Sequence, residues 1–348
     1  MEMHCPFSGE TIRKSVSSKW GSESHFLTEF EELGLIGRGG FGIVTKCKNH
    51  LDNCIYAVKV VPLKSANMPF QKVLREVRAL GCLRHPNIVR YHQAWLEENF
   101  SGISCSSAAD PLRSGDSYEE FDFDSPCLYI QMEFCPRSLE KFLETSGDLD
   151  KDKAWKIFLQ IVDGLVEVHA AGIVHRDLSP ANILLDEHDD IRISDFGLAK
   201  LVNGVNDEVA TGSIGHQLYT APELKDKQME VDTNADIYSL GLIFVELFHP
   251  ISTQHERIAV FQNLRVNKEF PKSWKYEEHK CFVQQLLSTI PSERPTANGI
   301  LQQQAWASSS SQGEEDVSPD EFKANFLVYD GKHVPVALGD TEDVKTDA

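Results

Sequence analysis

An α+β fold is predicted for this chain, with strands gathered in its first part and helices in its second, and three observations predict it. Phe30 to Val61 reads as strands around a glycine-rich turn, because Ile43-Val44 and Ile55-Tyr56-Ala57-Val58 are rich in strand formers. Ile88 to Trp95 and Leu128 to Met132 read as two further strands. Past Glu133-Phe134-Cys135-Pro136 the apolar spacing turns helical.

Residues 1–25 are polar and without clear period, and they read as a short, partly disordered arm. After the first strands, Val73, Val77 and Leu80 recur at helical spacing and place Glu76 on a helix. The acidic segment 97–126 contains Ser and Gly, cannot pack a core and reads as a mobile loop inserted between two strands. Helices follow over Ser138 to Glu144 and Lys151 to Ala171, the second with Trp155, Phe158, Leu159, Ile161 and Leu165 along one side. Asp236 to Phe248 is apolar almost all round, which predicts a buried helix. Thr253 to Leu264 opens on Thr253-Gln254-His255-Glu256, a capping box. The remainder, 307–348, reads as an acidic, Ser-rich tail in which Phe326-Leu327-Val328-Tyr329 could pack locally. No internal repeat is evident.

With 348 residues at 41% apolar, the chain can bury a large core, and one large or two moderate domains are expected. The eight cysteines form no Cys-x-x-Cys pair and follow no secretory leader, so a reduced compartment and a soluble, cytoplasmic protein are expected. No apolar run approaches the ~18 residues that span a bilayer, so no membrane partner is expected. A net charge of -19 opposes nonspecific nucleic-acid binding. Segments 97–126 and 308–348 each carry a net -7, so 14 of the 19 excess charges lie outside a mildly acidic body.

The chemistry is concentrated in a few places. Gly37-Arg38-Gly39-Gly40-Phe41-Gly42-Ile43-Val44 is a turn whose bare backbone lets amides approach phosphates, although glycines in hairpins are more often plain turns. Lys59 follows Gly42 by seventeen residues on a strand-like segment and Glu76 follows Lys59 by seventeen on a helix, and an ion pair between the two would aim the ammonium at phosphates. His175-Arg176-Asp177 is followed five residues on by Asn182 and thirteen further by Asp195-Phe196-Gly197. Asp195 and Asn182 supply hard oxygen ligands for magnesium, and Asp177 accepts or orients the proton of an attacking hydroxyl.

Taken in this order, the motifs resemble a eukaryotic protein kinase. The resemblance implies a two-lobed fold, with a small, mainly antiparallel β lobe carrying one helix over 26–134, an acidic insert at 97–126 and a larger, mainly helical lobe over 135–306. It implies MgATP as co-substrate, held by Ile36, Gly37, Gly39, Gly42, Val44, Ala57 and Lys59 from above and Leu184 from below. Met132 is the implied gatekeeper, a residue type that core packing explains equally well, and the backbone of Glu133 to Cys135 is to bond the base. Arg176 implies a phosphate acceptor between Asp195 and Glu223, with Thr211 and Ser213 as candidates. Glu223 in Ala221-Pro222-Glu223 is to pair with Arg294 in a buried bridge.

Two positions depart from that pattern. Ser179 stands where serine/threonine kinases usually have lysine, and His216 where they usually have threonine. Either the pair is co-adapted, His216 approaching Asp177, or catalysis is impaired, since a lost preorganised cation commonly costs ~10²-fold.

A narrower resemblance rests on four stretches: Ser24-His25-Phe26-Leu27-Thr28-Glu29-Phe30-Glu31-Glu32-Leu33; Leu74-Arg75-Glu76-Val77-Arg78-Ala79-Leu80 with Ile88-Val89-Arg90-Tyr91 and Ala94-Trp95; Leu128-Tyr129-Ile130-Gln131-Met132-Glu133; and Ser252-Thr253-Gln254-His255-Glu256-Arg257 with Asn263-Leu264-Arg265. These are similar to the kinases that phosphorylate the alpha subunit of translation initiation factor 2, with the haem-regulated and endoplasmic-reticulum branches nearest in the lead-in and third-strand regions. The resemblance implies substrate docking on the helix headed by Thr253 and Glu256, residues whose capping role is an equal explanation. It implies a homodimer through the small lobe at His25, Asp52 and Tyr91, made pH-sensitive by His25. Cys5-Pro6 and Cys135-Pro136 also resemble a short haem-binding dipeptide. A serine/threonine kinase with another protein substrate, and a nucleotide-binding pseudokinase scaffold, stay open as alternatives.

Overall fold

The computed structural model describes residues 24–39, 42–63, 77–97, 126–196, 200–201, 218–225 and 232–302. Most of the expected arm and insert, all of the expected tail, and Glu76, Thr211, Ser213 and His216 lie outside the described residues.

Five antiparallel strands make the first layer: β1 (Phe30–Gly39), β2 (Gly42–Asn49), β3 (Ile55–Pro62), β4 (Tyr91–Glu97) and β5 (Cys127–Glu133), in the order β1-β2-β3-β5-β4. Successive side chains of a strand point to opposite faces, so register decides what each face carries. Ile43, Cys47, Val58, Val60 and Tyr129 are buried on one face with Phe26 and Phe30. Lys59 lies opposite Val44 and Ile130, and Ala57 opposite Met132, which places these five residues on the other face.

A short helix, α1 (His25–Glu29), covers the first face, so His25, expected as the last residue of the arm, is helical instead. Ser24 caps this helix, its hydroxyl accepting from the Leu27 N–H at 3.3 Å. Glu97, expected as the first acid of the insert, is instead the buried last residue of β4. Its carboxylate accepts from the Ser24 hydroxyl at 2.7 Å, the Phe26 N–H at 2.8 Å and the Trp95 indole at 2.9 Å. An acid can be buried here because all three donors converge on it.

The strand expected from Ile88 begins at Tyr91, for a reason remote in sequence. Ile88 makes a parallel bridge with Ile193, the Val89 N–H donates to the Ile193 carbonyl at 2.9 Å, and the Ile193 N–H donates to the Asn87 carbonyl at 2.8 Å. The backbone of 87–89 is thus committed to the second lobe. Gly164 permits this approach, since a Cβ there would sit 2.9 Å from the Asn87 carbonyl oxygen. Residues 77–82 are helical, as the spacing of Val77 and Leu80 predicts.

After the two-residue strand β6 (Arg137–Ser138), the second layer is mainly helical: α2 (Leu139–Ser146), α3 (Lys151–Ala170), α4 (Asn234–Phe248), α5 (Gln254–Val266) and α6 (Lys280–Leu286). Short strands β7 (Ile173–Val174), β8 (Ile183–Leu185), β9 (Ile191–Ile193) and β10 (Lys200–Leu201) lie between α3 and α4, paired as β6-β8-β9 and β10-β7. The α3 face is broader than the sequence stripe: Ala154, Ile157, Val162 and Val168 join it, whereas Trp155 and Leu159 are only half-buried. Every residue of α4 from Ala235 to Phe248 is buried, as its apolar circumference predicts.

His279 is buried in the aromatic cluster of this lobe, against Trp155, Phe244, Phe248 and Tyr276. Burial pushes its pKa down to about 4 against the pull of Glu278. The unfolded chain therefore binds the proton first, and stability is full above pH ~6.5 and falls between there and pH ~4, by at most about 3 kcal/mol from this group. Urea titrations from pH 7 to 4 are expected to show this component in the wild type and to lack it in His279→Phe.

Candidate active site

The glycine hairpin closes through the Gly39–Gly42 pair at the end of β1 and β2. Gly42 has φ 147°, and a Cβ there would lie 2.1 Å from the Val60 carbonyl oxygen, so only glycine fits this close crossing. Gly37 has no such constraint, its Cβ position being 3.8 Å from the Val44 Cβ. Below the hairpin, the sheet face carrying Val44, Ala57, Lys59 and Met132 looks toward the second lobe, with Ala57 and Met132 buried and Val44 half-buried. Ile36 is 46% exposed and Leu184, on β8, is half-buried. At the hinge, the Glu133 N–H donates to the Arg90 carbonyl at 2.9 Å, and the Glu133 carboxylate meets the Arg90 N–H at 2.7 Å and the Arg192 guanidinium at 3.2 Å.

Lys59 reaches across the lobes. Its ammonium lies 3.0 Å from the Asp195 carboxylate, and the lysine is almost wholly buried while the aspartate is partly exposed. Asp195 follows β9 with φ 60°, a left-handed conformation that an aspartate adopts at modest cost. Phe196 behind it is fully buried, its ring 4.9 Å from that of His175. The His175 Nδ1 accepts from the Asp177 N–H at 3.3 Å, which makes Nε2 the protonated nitrogen, donating to the Ser194 carbonyl at 2.9 Å.

One buried carboxylate underlies this loop. Asp236, at the start of α4, accepts from the His175 N–H at 2.9 Å, the Arg176 N–H at 2.8 Å and the His169 ring at 2.9 Å. Burial pushes its pKa up, but the His169 and Arg176 hydrogen bonds and the nearby imidazoles outweigh burial and hold it below the ordinary carboxylate value. The Arg176 bond also offsets the left-handed φ of 70° at that residue. Asp236 was recognised from sequence only as the beginning of a helix; an acid in an otherwise apolar buried helix is the signal that could have found it.

Asn182 turns its amide nitrogen to Asp177, donating to the carbonyl at 2.8 Å and the carboxylate at 2.9 Å. Its amide oxygen is therefore not the atom turned to Asp177, and with the Asp195 carboxylate it makes up a set of one neutral and one anionic oxygen donor. That set fits a hard cation such as Mg²⁺, which favours few protein oxygens together with phosphate and water.

Ser179 is buried, and its hydroxyl has no hydrogen-bond partner among the described residues. Glu223 and Arg294 form the expected buried bridge, bidentate, with the second pair of atoms at 2.9 Å. Thr253 caps α5, accepting from the Glu256 N–H at 3.2 Å, but Glu256 returns to the Ser252 N–H at 3.0 Å rather than to Thr253, so the expected box is shifted by one residue. His25 pairs with Glu29 at 3.5 Å, Asp52 accepts from the Tyr56 hydroxyl at 2.7 Å, and Tyr91 is half-buried. Cys135 is buried, which pushes its thiol up to about 12 and keeps it protonated, a poor ligand for haem iron.

A five-stranded sheet over a helical lobe, with a sheet lysine meeting an aspartate beyond a His-Arg-Asp loop, defines a protein kinase. The protein kinase domain model matches residues 30–306, and the chain belongs to that family. It is 39% identical over 308 residues to an eIF-2-alpha kinase GCN2 of Arabidopsis thaliana, covering 80% of this chain and 25% of that protein. It is 37% identical over 289 residues to the interferon-induced, double-stranded RNA-activated protein kinase of Rattus norvegicus, covering 82% and 53%. Against the eukaryotic translation initiation factor 2-alpha kinase 1 of Rattus norvegicus it is 27% identical over 438 residues, covering 84% and 70%. The chain thus spans a quarter to about half of the first two relatives. Among the described residues no helix is long and apolar enough to cross a membrane.

Two substitutions probe this geometry. Gly42→Ala is expected to cost about 1–3 kcal/mol of stability, read by thermal unfolding, and to weaken ATP binding, because β2 must move off Val60. Ser179→Ala removes an unsatisfied buried hydroxyl and is expected to leave stability within about 1 kcal/mol; a large loss of stability would mean the hydroxyl has a partner.

Proposed function

We propose that this chain is a serine/threonine protein kinase that transfers the γ-phosphoryl of MgATP to a serine of the alpha subunit of translation initiation factor 2, restraining protein synthesis under stress. The observation that carries the reading is the 3.0 Å contact of Lys59 with Asp195, a cation and a carboxylate from two lobes meeting where a triphosphate would lie. In this reading the catalytic domain is 26–306, preceded by the arm and followed by the acidic tail, and it works in the cytoplasm.

The adenine sits between Val44 and Ala57 above and Leu184 below, with Met132 behind it, the backbone of Glu133 to Cys135 at its edge, and Ile36, Gly37, Gly39 and Gly42 over the sugar and phosphates. Lys59, oriented by Glu76, neutralises the α and β phosphates, and Asn182 and Asp195 hold Mg²⁺, which when bound offsets charge on the triphosphate. Asp177 orients the serine hydroxyl. As the hydroxyl oxygen bonds to the γ-phosphorus, the bond from that phosphorus to the β–γ bridging oxygen breaks, ADP leaves, and the proton passes to the Asp177 carboxylate. Asn182, donating to that same carboxylate, keeps it in place.

Two facts support the substrate. Two of the three relatives described above carry initiation factor 2 alpha in their names, and α5 presents an exposed, uncharged stripe of Ile258, Ala259, Gln262 and Val266 beside Thr253, Glu256 and His255 on which a protein can dock. Phosphorylation at Thr211 or Ser213 and a small-lobe homodimer at His25, Asp52 and Tyr91 complete the proposal. In the dimer, His25 exchanges its Glu29 partner for one on the second copy. The alternative of a pseudokinase scaffold draws on Ser179, a buried residue without the positive charge that a lysine at this position would bring to a phosphoryl group.

Purified alpha subunit and labelled ATP separate these readings. Wild-type chain is expected to label the subunit, and Asp177→Ala to label it about 10²–10⁴-fold more slowly while still binding ATP. Labelling of a generic serine substrate but not of the subunit would point to another target, and nucleotide binding with no transfer to either would point to the scaffold.

A further inference from the structure

Residues 218–220 have no regular secondary structure, yet side chains from the large-lobe helices occupy each of their carbonyls. The Arg265 guanidinium donates to the Leu218 carbonyl, and to that of Thr220 at 3.4 Å; the Ser239 hydroxyl donates to the Tyr219 carbonyl at 2.9 Å. The Tyr219 hydroxyl donates to the buried Glu246 carboxylate at 2.6 Å, and Arg257 pairs with the other oxygen of Glu246. The Tyr219 ring packs edge-on against Phe261 at 5.4 Å. Immediately after this segment, Glu223 is locked on Arg294.

Arg257, Phe261, Leu264 and Arg265 share the inner face of α5, and its exposed stripe lies on the opposite side. One helix therefore carries the clamp on one face and the docking stripe on the other. An irregular segment packed against a core needs its carbonyls satisfied, and here α5 supplies the donor for Leu218 and Thr220 and α4 the donor for Tyr219.

We propose that Arg257 and Arg265 are positioning residues that join α5 and the 218–221 segment into one rigid unit, so that a protein docked on the outer face of α5 meets the end of the activation segment at a fixed offset from Asp177. The proposal rests on the reading of α5 as the docking helix. Its consequence is specific: loosening the clamp leaves docking affinity intact and lowers the turnover of the docked protein, because the acceptor hydroxyl is no longer held in an attacking position.

The test compares Arg265→Met, and the double variant Arg257→Met with Glu246→Gln, which avoids stranding a buried charge, with the wild-type chain. Amide hydrogen exchange at 218–221 is expected to quicken about 10-fold while α3 is unchanged. With purified alpha subunit, kcat is expected to fall about 10-fold with the Kd for the subunit within about twofold. Unchanged exchange at 218–221, unchanged kcat, or a Kd that weakens in step with kcat each overturns the proposal, the last because the helix has merely come loose. If one variant does not fold, the other and Tyr219→Phe, which removes a single hydroxyl from the network, carry the same readings. A wild-type chain that leaves the alpha subunit unlabelled overturns the substrate reading instead, and the exchange measurement still decides whether the clamp exists.

Discussion

An ion pair between a strand of one lobe and a turn of the other governs the rest of this molecule. Lys59 is nearly dry and its partner Asp195 is not, so the pair gains more than a surface salt bridge yet can still exchange its carboxylate for a ligand. Such a contact exists only if the sheet and the catalytic loop are each held in register. The backbone bonds of Asn87 and Val89 to Ile193 do part of this, since they fasten the small lobe to β9 two residues before Asp195.

The loop itself hangs from a second buried charge. Asp236 is kept ionised by donors from three residues, and two of these are the backbone amides of His175 and Arg176. Each charge-assisted bond of this kind is worth about 1.5–3 kcal/mol net. That is enough to hold Arg176 in a left-handed conformation that otherwise costs about 1–3 kcal/mol. His175 then passes the order on to Ser194 and Phe196, and so to Asp195. The same α4 helix supplies Ser239 and Glu246 to the segment at 218–220, so one buried helix braces both sides of the site.

Much of this was legible in the residues. Apolar residues all round Asp236 to Phe248 foretold a buried helix, because local period sets it, and the motifs singled out Lys59, Asp177, Asn182 and Asp195, of which the fold pairs Lys59 with Asp195 and Asn182 with Asp177. What was not legible depends on partners far along the chain. Ile88 looked like a strand residue because it is β-branched, but its backbone is taken by Ile193. Glu97 looked like one more acid of a solvated run, although three donors bury it. The capping box was right at Thr253 and shifted at Glu256, since Ser252 offers an N–H that the sequence pattern does not weigh. Arg257 and Arg265 stood in the sequence only as parts of a stretch that carries a resemblance, with nothing to show what they bind; their targets, Glu246 and the carbonyls at 218 and 220, are brought near only by the fold.

The most direct measurement is a crystal structure of this chain with Mg²⁺ and a non-hydrolysable ATP analogue. Lys59 and Asp195 are predicted to engage the same triphosphate, the lysine through phosphate oxygens and the aspartate through the metal, with Asp177 facing the γ-phosphate. A nucleotide bound elsewhere, or a Lys59 and Asp195 too far apart to share it, would contradict the account.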